Sequence, residues 1–332
     1  MTVSKHFRTD YAGAGFVETW NGKRVIAIGD SLMMETAAQL ADYYGWTIND
    51  FADGGYSCAD EGPATFAQTP APGDICVMWL GTNDKNLSLD SSTREADSKS
   101  AHLANVLHMA IKDTGKVHAQ SMTAGGTWSN LTNVVDARGR TSTTNGSTLT
   151  GSVSGTTVAL TGYWNQSQAG QFSVTIDGVN KGTFNCYPSS GVVPGKFGYG
   201  PFALLFTGLS AGSHTVVVTV VSATGASNGV YVCWIAGLTA GSVVTSDPLV
   251  VVGNTHDYTA AGNAAQGTST ARNTRFKTMI ADNVMTARSY GLNVVLVDLD
   301  AVLGDADLGP DGLHPVHTGY IKVRDAFVSA IG

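Results

Sequence analysis

Val25-Ile26-Ala27-Ile28-Gly29-Asp30-Ser31-Leu32 is the stretch from which the rest of the chain can be read. Four β-favouring apolar residues run into a Gly-Asp-Ser turn, and a helical pattern follows over residues 33–44. A short apolar run closed by a turn and followed by a helix reads as a buried strand of a parallel sheet. The turn then stands at the carboxyl end of that strand and at a helix N-terminus. Open α/β sheets bind ligands there, and unpaired N–H groups there receive negative charge. Ser31 is therefore a candidate nucleophile, provided that a base reaches it. Capping of the helix by Asp30 or Ser31 explains the same turn without chemistry, so the reading depends on the other segments.

In the helix after this turn, Leu32, Ala38, Leu40, Ala41 and Tyr44 are expected to form the apolar face, with Gly45 ending it. Residues 46–51 read as a second strand, leading into Asp53-Gly54-Gly55. Ile75-Cys76-Val77-Met78-Trp79-Leu80 is a third, continuous apolar strand that runs into Gly81-Thr82-Asn83-Asp84. Residues 96–112 read as a helix with Ala101, Ala104, Leu107, Ala110 and Ile111 at its apolar positions. This order predicts a parallel sheet with helices on both sides.

From about residue 117 the character changes. Thr, Ser, Gly and Val dominate, charge thins out, and short alternating runs appear at 157–160, 171–176 and 214–220, flanked by turn residues such as Asp177-Gly178. Short strands at this spacing predict an antiparallel β-sandwich. The α/β pattern then resumes. Leu249-Val250-Val251-Val252-Gly253 and Val294-Val295-Leu296-Val297 read as strands. A helix is expected over 271–290, with Phe276, Ile280, Val284 and Ala287 inward, and another over 316–331. The expected organisation is a lead-in over 1–24 (with Phe7, Tyr11, Phe16 and Trp20), a first α/β part over 25–116, a sandwich insert over 117–246 and a second α/β part over 247–332.

Composition bounds the partners. The 332 residues are 43% hydrophobic and only 14% charged, which predicts a folded chain with a sizeable core. The net charge is -7 and no basic tract is present, so nucleic acid is not an expected partner. No apolar run is long enough for a membrane span, and residues 1–10 carry Lys5, His6 and Arg8 without the apolar stretch of a secretory signal. The four cysteines show no Cys-x-x-Cys spacing, so no zinc site is expected. Cys186 and Cys233 can either pair or remain buried thiols.

A serine hydrolase needs a nucleophile, a base, a group that orients the base, and donors for the oxyanion. Ser31 supplies the first. His314, in Asp311-Gly312-Leu313-His314-Pro315, is the best base: an Asp three residues earlier on the same loop can reach the imidazole Nδ1 and fix its tautomer. Asn83 follows the third strand at the same sheet edge as Ser31, and its amide can donate to an oxyanion. The main-chain N–H groups of Gly54 and Ser31 are the other candidate donors.

Together, Gly29-Asp30-Ser31-Leu32, Asn49 followed by Gly54, Gly81-Thr82-Asn83-Asp84 and Asp311-x-x-His314 resemble the SGNH, or GDSL, hydrolase family. All four blocks occur in the family's order, over about 25–112 and 249–331. The resemblance implies Ser31 as nucleophile, His314 as base, Asp311 as orienter, and Ser31, Gly54 and Asn83 as the oxyanion hole. It implies a flavodoxin-like three-layer α/β/α fold, here interrupted by a jelly-roll-like sandwich, and no cofactor. Over a hundred extra residues between the third and last blocks depart from the family pattern. The G-x-S-x-G elbow of α/β-hydrolases is missing.

Other candidates are weaker. Cys58 has no partner base in view. Asp305, Asp307 and Asp311 crowd one loop, but Gly309 breaks the EF-hand spacing. Asp30 and His256 are candidates for lining the substrate cleft, with an ordinary loop pair as the alternative reading of His256-Asp257. His317 competes with His314, but the Asp-x-x-His spacing favours His314. Trp128, Tyr163, Trp164, Tyr187, Phe197, Tyr199, Tyr231 and Trp234 lie in or near the insert, mostly as core, with some available to stack on sugar rings. The preferred function is O-deacetylation of a carbohydrate or surface polysaccharide, consistent with a phage tail-associated enzyme. The alternatives are a lipolytic or thioester hydrolase, and a glycan-binding or virion structural protein with a vestigial triad.

Overall fold

Alternation along the apolar strands builds two hydrophobic layers on one sheet. The computed structural model describes residues 19–20, 23–44, 48–50, 52–87, 92–131, 138–165, 170–189, 198–223 and 229–332. The expected lead-in up to residue 18, and Gly45, Trp46, Phe51 and Phe197, lie outside the described residues. Strands β1 (Lys23–Gly29), β2 (Ile75–Trp79), β3 (Leu249–Gly253) and β4 (Val294–Val297) pair in parallel in that order. On the side of β1 away from β2, Thr19–Trp20 pairs antiparallel with Lys23 and Arg24, and Asn49–Asp50 pairs parallel opposite Ile26 and Ala27. Of the strand expected over 46–51, only these two residues are assigned among those described. The parallel strands therefore run across the sheet in chain order 2-1-3-4-5.

The row Ile26–Cys76–Val250–Val294 and the row Ala27–Val77–Val251–Val295 each cross the sheet in register. Because strand side chains alternate, the two rows face opposite ways. The first packs against residues of α2 (Ser92–Ala110), such as Ala104 and Leu107, and of α3 (Thr270–Ser289), such as Phe276 and Ile280. Ala27, Val77 and Val251 of the second pack against α1 (Ser31–Tyr44) and α4 (His317–Ile331). On α1 the buried apolar residues are Leu32, Met33, Ala37 and Leu40, while Ala38 is exposed. The inward stripe differs from the expected one because the helix begins at Ser31, and steps of four residues from Leu32 and Met33 set its face. Phe327 of α4 is fully buried in this layer, and its replacement by Ala is expected to cost about 3–5 kcal/mol.

Between α2 and β3 the chain builds two antiparallel sheets. One runs Tyr199–Phe206, Thr157–Asn165, Val230–Leu238, Arg140–Ser142, Ser129–Asn130, with Lys116–His118 also on Val230–Leu238. The other runs Val179–Asn185, Gln171–Ile176, Gly212–Ser222, Thr148–Gly155, Thr123–Gly125. Phe172, Val174 and Ile176 alternate inward, and Phe172 stacks on Phe202 of the facing sheet at 6.1 Å.

The strand Thr157–Asn165 of the first sheet is buried on both faces up to Trp164, because the sheet's other side rests on the α/β layers. Gly200 lies against Ala59, Gly62 lies against Pro201, and the Trp234 indole N–H donates to His108 Nδ1 at 3.0 Å. One hydrophobic core thus continues from Ile28 and Leu107 into Trp234 and Phe172. The two antiparallel sheets are packed onto the α/β layers. Among the described residues no helix is long and apolar enough to cross a membrane. All four cysteines are buried, and no disulfide joins Cys186 to Cys233.

Candidate active site

The Gly-Asp-Ser turn forms where β1, β2 and α1 approach most closely. A Cβ on Gly29 would stand 2.5 Å from the Trp79 carbonyl oxygen and 2.3 Å from Met33 Cβ, so only glycine fits. Asp30 is fully buried, and its N–H donates to the Trp79 carbonyl at 3.3 Å. Its carboxylate accepts the Leu32 N–H at 3.0 Å, and its carbonyl accepts those of Met33 and Met34. Asp30 is therefore the N-cap of α1. The first-turn N–H left without a partner among the described residues is that of Ser31, the next residue.

Ser31 Oγ lies 2.9 Å from His314 Nε2, although 283 residues separate them. The His314 loop is folded on itself: Gly309 N–H donates to the His314 carbonyl at 2.8 Å, and Gly312 N–H to the Gly309 carbonyl at 2.9 Å. Gly312 holds a left-handed φ of 63°, and a Cβ there would meet Thr259 Oγ1 at 2.1 Å. Asp311 Oδ2 lies 2.6 Å from His314 Nδ1, while Oδ1 accepts the N–H groups of Leu313 and His314 at 3.1 and 3.0 Å. Burial pushes the Asp311 carboxyl upward, but the hydrogen bonds from His314 and Leu313 outweigh it and hold the group below its ordinary value. An ionised Asp311 only accepts, so Nδ1 carries the proton and Nε2 is left to accept from the serine hydroxyl.

Asp53 N–H donates to the Gly29 carbonyl at 3.0 Å, which brings the Gly54 turn to the end of β1. Gly54 is exposed, and a Cβ on it would meet nothing within 4 Å. Asn83 stands in the first turn of the helix Thr82–Leu87 and donates one amide N–H to the Tyr56 carbonyl at 2.9 Å. That bond orients the amide and leaves its second N–H. The next residue, Asp84, accepts the Cys58 N–H at 2.8 Å, so two adjacent side chains fasten the loop that follows Gly54. Asp84 is buried, which pushes its carboxyl up to about 6.

His256 is fully buried too, and its Nε2–H donates to the Leu313 carbonyl at 2.8 Å. It is bonded to the His314 loop through that carbonyl. The buried Cys58 thiol is pushed well upward, chiefly by burial, which disfavours a thiolate nucleophile. His317 is exposed at the start of α4, and Asp307 pairs with Lys322 at 2.7 Å. No cluster fit for a metal occurs among the described residues. Of the insert's aromatics, Tyr163, Trp164 and Trp234 are buried, and Trp128, Tyr187, Tyr199 and Tyr231 are half-buried; none of these forms an exposed platform. Sequence reasoning missed the roles of Asp84 and Thr259. Asp84 was visible only as part of Gly81-Thr82-Asn83-Asp84, and Thr259 carries no chemical signal of its own.

Ser31, Gly54 and Asn83 thus follow β1, Asn49–Asp50 and β2, and Asp311 and His314 come after β4. No family model matches this chain. No curated protein matches it either. Among solved structures, a carbohydrate-binding module CBM36 in complex with calcium and xylotriose is 23% identical, over 36% of this chain and 96% of that one, with a TM-score of 0.27. The CBM36-1 domain of a multidomain xylanase from the hindgut metagenome of Trinervitermes trinervoides is 22% identical over 36% and 92%, also at 0.27. A family two carbohydrate esterase from Cellvibrio japonicus is 15% identical over 55% and 51%, at 0.29. Likeness at these TM-scores carries no inference about chemistry; that rests on the site's own geometry.

Proposed function

We propose that this chain is a serine esterase of the SGNH type that removes small acyl groups, acetyl foremost, from a carbohydrate. Its α/β part, residues 25–116 and 247–332, is read as flavodoxin-like, with 117–246 as a sandwich insert. The observation that carries the reading is the relay Ser31 Oγ–His314 Nε2–His314 Nδ1–Asp311, at 2.9 and 2.6 Å. Ser31 attacks the ester carbonyl as His314 takes its proton, and Asp311 stabilises the imidazolium. The oxyanion is met by the N–H groups of Ser31 and Gly54 and by the Asn83 amide. His314 then protonates the departing alcohol. Water, deprotonated by His314, releases the acid from the acyl-enzyme.

The exposure of the dyad supports the substrate class. The Asp311 and His314 side chains are 47% and 40% exposed. Sites that engulf small ligands bury most of the ligand surface. An open rim suits a small acyl group borne on a large, hydrophilic carrier.

The deciding experiment is acetate release from a panel of O-acetylated polysaccharides, with Ser31→Ala as control and phosphonate labelling in parallel. Ser31-dependent release and labelling are expected. Glycan binding without labelling would instead identify a binding protein, and aryl-ester rates rising beyond butyrate would identify a lipolytic enzyme.

A further inference from the structure

The Leu313–His314 peptide is held at both poles. Its carbonyl accepts the His256 Nε2–H at 2.8 Å, and its N–H donates to Asp311 Oδ1 at 3.0 Å. A peptide is planar, so fixing its C=O and N–H together fixes the direction in which the His314 Cα leaves it. Asp311 alone grips one pole; the other belongs to His256, which comes from the segment after β3.

His256 is itself braced. Its ring packs edge-on against the Trp79 indole, with centroids 5.7 Å apart and planes at 66°. Trp79 is fully buried at the end of β2, and its main-chain carbonyl receives the Asp30 N–H at 3.3 Å. Trp79 therefore touches both halves of the site: its carbonyl supports the turn that carries Ser31, and its ring supports the histidine that grips the His314 loop. The same segment adds a second tie, Thr259 N–H to the Gly312 carbonyl at 3.1 Å, and a Cβ on Gly262 would lie 2.4 Å from that carbonyl oxygen.

We infer that His256 is a positioning residue, which with Trp79 sets the approach of the His314 imidazole to the Ser31 hydroxyl. The inference rests on the esterase reading of the site. It assigns His256 no contact with substrate. Displacement of a reacting group by about 1 Å can cost roughly a hundredfold in rate, so loss of this grip lowers turnover while leaving substrate affinity alone.

The test uses the full chain and an aryl acetate, with kcat, KM, Tm and the rate of Ser31 inactivation by a phosphonate measured together. His256→Phe keeps a ring against Trp79 and removes the donor; His256→Gln returns an amide N–H at similar reach; His256→Asn returns one that falls short. For His256→Phe the expected result is kcat down by about 10–100-fold, KM within about twofold, and inactivation slowed in proportion to kcat. His256→Gln is expected to recover most of the loss. If His256→Phe does not fold, the comparison of the two amides decides: kcat higher for Gln than for Asn at similar Tm supports the inference, and equal values overturn it. A folded His256→Phe with wild-type kcat and inactivation rate also overturns it. If wild-type protein shows no Ser31-dependent labelling, the esterase reading fails and this inference with it; wild-type labelling matched by His256→Phe sinks this inference alone.

Discussion

The Asp311 carboxylate holds His314 twice, at the ring Nδ1 at 2.6 Å and at the main-chain N–H at 3.0 Å. One oxygen sets the tautomer and the other sets the loop. Three residues of separation allow both, because the turn at Gly312 brings the histidine back over the aspartate.

Asp311→Asn is expected to separate these roles. The amide oxygen can still accept the main-chain N–H, but its NH2 facing Nδ1 favours the tautomer that protonates Nε2, which then cannot accept from Ser31. A loss of kcat on the order of a thousandfold or more is expected, with Tm within a few degrees. Steady-state kinetics and thermal unfolding check both parts; a variant with near-wild-type turnover would exclude Asp311 from the relay.

Asn83→Ala removes an amide whose orientation the Tyr56 carbonyl sets. Loss of one oxyanion donor typically costs about 3 kcal/mol of barrier. A fall in kcat by about two orders of magnitude, with KM little changed, is therefore expected. Asn83→Asp should be no better, because a carboxylate there accepts hydrogen bonds and repels the oxyanion.

Two glycines should respond in opposite ways. A methyl group on Gly54 meets no protein atom within 4 Å, so Gly54→Ala should leave Tm unchanged while crowding whatever approaches its N–H. Gly312 has a left-handed φ, and a Cβ there would collide with Thr259 Oγ1. Gly312→Ala should lower stability by more than about 1 kcal/mol. Denaturant titration beside kcat/KM separates the two; a destabilised Gly54→Ala would show that its conformation, not its open face, requires glycine.

Asp84 makes stability depend on pH. Burial raises its carboxyl from the ordinary 3.8 to about 6, against the hydrogen bonds from Cys58 and Ser98. Between these values the folded state binds more protons than the unfolded one, so this group's contribution falls as pH rises through the interval. The full cost, at most about 3 kcal/mol, is present above pH 6. Asp84→Asn keeps an acceptor for the Cys58 N–H. It should therefore gain stability relative to wild type at pH 8 but not at pH 4. An equal difference at both pH values would remove Asp84 as the source.

Much of the architecture was legible locally. The strands read at 171–176, 249–253 and 294–297 coincide with the observed Gln171–Ile176, Leu249–Gly253 and Val294–Val297. Their periodicity and flanking glycines are properties of neighbouring residues. The partners of Asp30 and His256 were not legible in this way. Both types suggest chemistry, yet Asp30 caps a helix and His256 lies under Trp79 and Leu313, which arrive from distant strands and loops.

Chain chemistry alone therefore settled the local pieces: where apolar runs extend, where glycine must turn the backbone, and that Asp311 can reach a histidine three residues on. Packing settled what those pieces meet. Ser31 and His314 touch across 283 residues, the antiparallel sheets share a core with α2, and no disulfide joins the two cysteines read as a possible pair. The physical reason is range. Periodicity and capping act within a few residues, whereas burial and hydrogen-bond partners depend on which distant segments fill the same volume.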